Sequence, residues 1–249
     1  MKNYTDFLWE MTEKEIKARY KRAIFGFLWV ILNPVLQMII IGVIFSYFIK
    51  IPNYFLFLFT GLLPWQFFSL SLTKVTPSIV NERSILQKAK FPIEAIPISI
   101  ILANLFNMIV SLTLFIIILI FMQKIIFPQV LLIIPALIWL LAFTIGFSLL
   151  TASLNVKYRD INFFVQTILI LWFYITPVLY DLTVIPGALY PILALNPLTT
   201  LFEIMRISLL NQGSVVYQIA IYNLVISGLV IFAGFYIYRK TNQYFTDWL

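Results

Sequence analysis

The chain has 249 residues, 62% hydrophobic and 11% charged, where a soluble domain has roughly 45–50% and 25%; a water-soluble core is excluded. It contains no cysteine and no histidine, which removes disulfides, thiolate or imidazole metal sites and Ser-His triads. The formal charge of +7 does not point to nucleic acid, because basic residues placed between apolar runs report membrane topology.

The first 22 residues are polar and carry ten charges, which is unlike a signal peptide and implies that this segment is retained. Tyr4, Phe7, Leu8 and Met11 lie at helical spacing beside a Lys/Arg cluster, the pattern of a segment resting on the inner leaflet. Thr12-Glu-Lys-Glu15 fits a capping box, so the spacing predicts a helix beginning near Glu13. Charge-free runs then occupy Ile24–Ile49, Ile51–Thr73, Ala95–Gln123, Ile125–Val156, Ile161–Tyr180 and Ile207–Tyr238. Each is long enough for the roughly 20 residues that cross a bilayer. The expected fold is therefore an all-α integral membrane protein of about six transmembrane helices, forming one domain over residues 1–249.

Within the first run Asn33-Pro34 predicts a kink, since proline lacks the N–H and its ring clashes with the preceding turn. The basic loop 74–94 opens on Thr76-Pro77, which reads as an N-cap and first helical residue of a short amphipathic helix reaching Lys88. Between the fifth and sixth spans, residues 181–216 are apolar but broken by Pro186, Gly187, Pro191 and Pro197. Two short re-entrant helices are expected there. Asn196-Pro197 starts one of them, and Glu203 and Arg206 share a face on which they can pair. Lys and Arg number six, four, two and two in the segments 1–22, 74–94, 157–159 and 239–240, leaving Lys50, Lys124 and Arg206 for the opposite side. The bias places both termini in the cytoplasm.

No span carries an acidic residue, so the usual proton- or ion-coupling group of a secondary transporter is missing. None of the eight glycines opens a G-x-x-x-x-G-K loop, so ATP and Mg, if used, belong to a separate subunit docked on the loop-74–94 helix. The spans hold uncharged polar sets at helical spacing: Asn33 and Gln37; Asn104, Asn107 and Ser111; Thr144, Ser148, Thr151 and Asn155. These suit either interhelical hydrogen bonding or a path for a hydroxyl-rich substrate. Trp172, Phe173 and Tyr174 add aromatic faces that would stack on sugars. The other tryptophans, Trp9, Trp29, Trp65, Trp139 and Trp248, lie near span ends, where interfacial anchoring is the ordinary role.

Glu15-Ile-Lys-Ala-Arg-Tyr20, Phe25-Gly-Phe-Leu-Trp29 and Leu32-Asn-Pro34 resemble the opening of ABC-type polysaccharide-export permeases. Gly61-Leu-Leu-Pro-Trp65, Phe91-Pro-Ile-Glu94, Tyr158-Arg-Asp160, Thr176-Pro-Val178 and Asn196-Pro-Leu198 are similar to later landmarks of that family, in order. Phe25 stands where the family usually has Leu. The resemblance implies a homodimer paired with two copies of an ATPase subunit in the bacterial inner membrane, exporting lipid-linked O-antigen, capsular or teichoic-acid-like polymer. It implies a coupling helix around Asn81, Glu82, Arg83, Ile85 and Lys88, and an external gate after the fifth span that holds Glu203 and Arg206. Arg159 and Asp160 are expected to form a structural pair closing the tight loop after span four, with Arg159 also placed to meet lipid headgroups or a pyrophosphate. A drug or small-lipid exporter, or a membrane enzyme acting on lipid-linked sugars, are the competing readings. The enzyme is disfavoured because Arg159–Asp160 and Glu203–Arg206 fall on opposite sides of the membrane.

Overall fold

A computed structural model describes residues 4–21, 23–86, 92–124, 127–182, 185, 187–188 and 190–245, with the side chains of Ser84 and Ile85 set aside. Its helices are α1 (Tyr4–Tyr20), α2 (Trp29–Ser46), α3 (Tyr54–Val75), α4 (Ser78–Asn81), α5 (Arg83–Leu86), α6 (Ala95–Phe121), α7 (Ile133–Lys157), α8 (Ile161–Ile175), α9 (Tyr190–Ala194), α10 (Pro197–Leu210) and α11 (Tyr217–Thr241). No strand occurs among the described residues. The chain is an all-helical, multi-pass membrane protein.

Five helices, α2, α3, α6, α7 and α11, are long and apolar enough to cross a bilayer. The fifth apolar run in the sequence, α8, has only 15 helical residues. At 1.5 Å per residue it rises about 22 Å, short of the roughly 30 Å hydrocarbon core. Its charge-free run continues to Tyr180, but the backbone turns extended at Thr176, because Pro177 cannot prolong the helix and biases the residue before it away from helical angles. The sixth run likewise begins inside α10, and its spanning helix starts only at Tyr217.

Helix α3 is the hub, packing against α2, α6, α7, α8 and α10. Its residues Phe57, Leu58, Leu62, Phe68 and Leu72 are fully enclosed. Helix α11 lies along α7, and the two backbones meet at Gly146 and Gly234. A Cβ on Gly234 would fall on the Gly146 carbonyl, and one on Gly146 would stand 2.5 Å from the Ile231 Cα. Close approach through small residues is how membrane helices gain contact, since lipid removes the hydrophobic drive. Elsewhere on α11, Ile221, Leu224, Leu229 and Phe232 are exposed.

Two local expectations are corrected. Thr12 is no N-cap: α1 runs unbroken from Tyr4, and the Thr12 hydroxyl donates to the Leu8 carbonyl at 2.8 Å, the usual habit of a threonine inside a helix. The apolar spacing of Tyr4, Phe7, Leu8 and Met11 carries the helix through the capping pattern. Thr76 does not start a helix either. It ends α3, donating to the Leu72 carbonyl at 2.7 Å and meeting Thr151 of α7 at 3.0 Å. After Pro77 the chain makes two single turns, α4 and α5, separated at Glu82.

Candidate functional site

Pro34 sits inside α2 and cannot donate to the Val30 carbonyl one turn back. Ser111 of α6 supplies the missing donor, its hydroxyl 3.0 Å from Val30 O. The helix presents Asn33 and Gln37 on one face. The Gln37 amide donates to Asn33 Oδ1 at 3.2 Å and accepts from Gln66 Nε2 of α3 at 2.8 Å. These three amides form a chain that bridges two hollows.

On one side lies an open groove of about 520 Å3 between α2, α3 and α8, lined by Gln37, Trp65, Ser69, Gln166, Phe173 and Tyr174 among others, and by no charged residue among those described. Trp65 and Phe173 stand 5.4 Å apart across it. On the other side lies a cavity of about 340 Å3 between α1, α2, α3 and α6, lined by Arg19, Asn33, Gln66 and Asn107 among others. Neutral amide and hydroxyl groups between aromatic faces can exchange hydrogen bonds with a sugar chain and stack on its rings without fixing a charge.

Of the expected aromatic trio, Phe173 and Tyr174 line the groove. Trp172 points the other way. Its rings pack edge-on against Phe68 and Phe143, and its Nε1 donates to Asn196 Oδ1 at 3.0 Å. Trp65 and Trp139 are also turned inward, the latter donating to Ser227 of α11 at 2.9 Å, so neither is an interfacial anchor. The set Thr144, Ser148, Thr151 and Asn155 is wholly buried and belongs to helix packing, with Thr144 bonded to its own helix and Thr151 to both its own helix and Thr76. Gln66 was missed from the sequence, although Ser69 and Thr73 follow it at helical spacing in the same span.

Beyond the end of α8, the chain folds back through α9 and α10. Asn196 caps α10 by accepting from Leu198 N at 3.1 Å, and its amide donates to Thr176 Oγ1 at 2.8 Å. Arg206 is completely buried. It pairs with Glu203 at 2.9 Å, lies 3.8 Å over the Phe57 ring, and donates to the carbonyls of Pro177 and Val178. Tyr54 takes the next carbonyl, Leu179 O, at 2.9 Å. Non-helical backbone in an apolar setting is tolerated only when its carbonyls are bonded, and α3 and α10 supply those donors. Glu203 in turn faces Gly213, whose φ of +98° and contact with the carboxylate leave no room for a side chain.

At the opposite end, α4 buries Ser78 and Ile79 and packs against α6 and α7. Asn81 and Arg83 are exposed, and Glu82 pairs with Lys14 of α1 at 3.6 Å. Ile85 lies on α5, while Lys88 falls outside the described residues. Arg159 and Asp160 are exposed in the turn between α7 and α8. Among the described residues they form no ion pair, because sequence neighbours do not face each other. The turn is closed instead by Asn162 N–H donating to Asn155 Oδ1 at 3.2 Å.

Comparison with known proteins gives a family model described as ABC-2 type transporter, matching residues 7–210. Among similar curated proteins is an O-antigen export system permease protein RfbA of Myxococcus xanthus, 36% identical, the match covering 80% of this chain and 78% of that protein. Two proteins of the same description from Klebsiella pneumoniae are 34% and 31% identical, the matches covering 97% of this chain and 94% of each.

Proposed function

This chain belongs to the ABC-2 type transporter family, and from that premise we propose that it is the permease of an ATP-driven exporter of lipid-linked polysaccharide, with O-antigen as the polymer. The observation that carries this reading is the uncharged amide-and-aromatic groove between α2, α3 and α8. A hydroxylated polymer slides along such a surface by trading one neutral hydrogen bond for another.

In this reading two copies of the chain face each other in the inner membrane and close their grooves into one conduit. Both termini are cytoplasmic. ATP and Mg are bound by a separate ATPase subunit, two copies of which dock on the end carrying α4 and α5. Lys14–Glu82 ties that end to α1, so a push on α4 is passed to the helix beside α6. Segment 181–216 is the external gate, with Arg206 and Glu203 fixing α10 to the corner after α8.

The test is export of lipid-linked polymer by the chain assembled with its ATPase in vesicles. Gln37→Leu and Tyr174→Ala should each lower export about three- to tenfold, the worth of one aromatic or polar contact, at unchanged yield of the assembled complex. If export falls only where complex yield falls with it, the groove is a packing surface and the reading fails.

A further inference from the structure

The cavity between α1, α2, α3 and α6 differs from the groove in one respect: it contains a cation. Among the described residues Arg19 is the sole charged one lining it, and no carboxylate among them pairs with it. Its guanidinium is held in place by one bond, Nη2 to Asn104 Oδ1 at 2.7 Å, with Asn104 braced in turn on Ser71 at 3.1 Å. Its Nε is buried without a partner, and so is Asn107 Oδ1 on the same cavity wall. A positioned guanidinium without a carboxylate suits a phosphate oxygen. Asn33, Gln66 and Asn107 add neutral amides suited to hydroxyls. At the rim Trp29 is exposed beside Phe25 and Leu28, which are also exposed, so an aliphatic chain attached to the ligand has an apolar surface to lie on.

We propose that this cavity is the seat of a lipid-borne sugar phosphate, Arg19 holding the phosphate and Asn33, Gln66 and Asn107 the adjoining hydroxyls. The proposal rests on the exporter reading, and names where the linkage between lipid and sugar is gripped before the polymer enters the groove. The amide chain Asn33–Gln37–Gln66 stands between the two hollows.

The experiment measures lipid retained by the full-length chain in nanodiscs, using phosphatidylinositol, which joins a phosphate to a polyhydroxyl ring. A glycosyl diacylglycerol, with a ring and no phosphate, and phosphatidylglycerol, with a phosphate and a small headgroup, are the comparison lipids. Phosphatidylinositol should be retained about tenfold over the neutral glycolipid, the scale of one hydrogen bond to a charged group. Arg19→Gln should abolish that preference, and Arg19→Lys should keep part of it. Asn107→Asp breaks no hydrogen bond and sets a like charge beside the phosphate, so it should lower retention while the thermal midpoint holds; Lys240→Gln should change nothing. Equal retention by wild type and both Arg19→Gln and Asn107→Asp overturns the proposal. Equal retention of phosphatidylglycerol assigns the phosphate seat to bulk phospholipid and overturns its sugar half. Because no export is measured, failure here leaves the groove test standing, and failure of the groove test leaves this one.

Discussion

Two sides of the molecule use the same residue types to opposite ends. Along α7, α10 and α11 several buried polar side chains are bonded to backbone or to a neighbouring helix: Asn223 to Thr200 at 2.8 Å, Ser227 to the Asn223 carbonyl at 2.7 Å, and Arg206 to Glu203. Along α2, α3 and α8 the amides of Asn33, Gln37 and Gln66 are bonded chiefly to one another and border open space. The first arrangement ties helix to helix and holds shape. The second loses little when a visiting hydroxyl replaces an amide neighbour. What separates the two arrangements is therefore the partner, not the residue.

The largest effect should come from breaking the closed side at Arg206. Arg206→Met leaves Glu203 buried without its cation and the Pro177 and Val178 carbonyls without their donor, a cost of about 3–5 kcal/mol. The loss should appear as a lowered thermal midpoint, and Arg206→Met combined with Glu203→Gln should recover part of it. Next comes the helix crossing. Gly234→Val drives a side chain into the Gly146 carbonyl and should cost about 1–3 kcal/mol, whereas Gly228→Val on the same helix meets no atom within 4 Å and should leave stability unchanged. The smallest effect sharpens the comparison: Ser227→Ala removes the acceptor of Trp139 and should cost about 0.6 kcal/mol, while Gln166→Leu in the groove should leave the midpoint unmoved.

Much of this was legible in the sequence. Charge-free runs located every apolar helix, Asn196-Pro197 marked the start of α10, and the spacing of Glu203 and Arg206 gave their pairing. What composition concealed was rotation. Helices α3 and α11 carry little periodic signal to say which face looks inward, and the polar sets on α2 and α7 marked a face without telling groove from packing. That is why Trp65, Trp139 and Trp172 read as anchors or channel residues while their rings lie in the interior or against a neighbouring helix. Capping patterns at Thr12 and Thr76 misled for a related reason. Both threonines satisfy a carbonyl of their own helix, and tertiary contact, not the local motif, decided where the helix ended.

The shortness of α8 has a consequence for the lipid around it. Its helical length of about 22 Å falls roughly 8 Å below the usual hydrocarbon thickness, and such a deficit is met by thinning of the adjacent bilayer or by covering the gap with protein. Here the chain continues directly from α8 into a corner stitched by Arg206 and Tyr54. A chain moving along the groove beside α8 would thus leave the helical wall early and complete its passage against folded protein, so the insulating layer it must traverse is set by fifteen residues of α8 rather than by the membrane's own thickness.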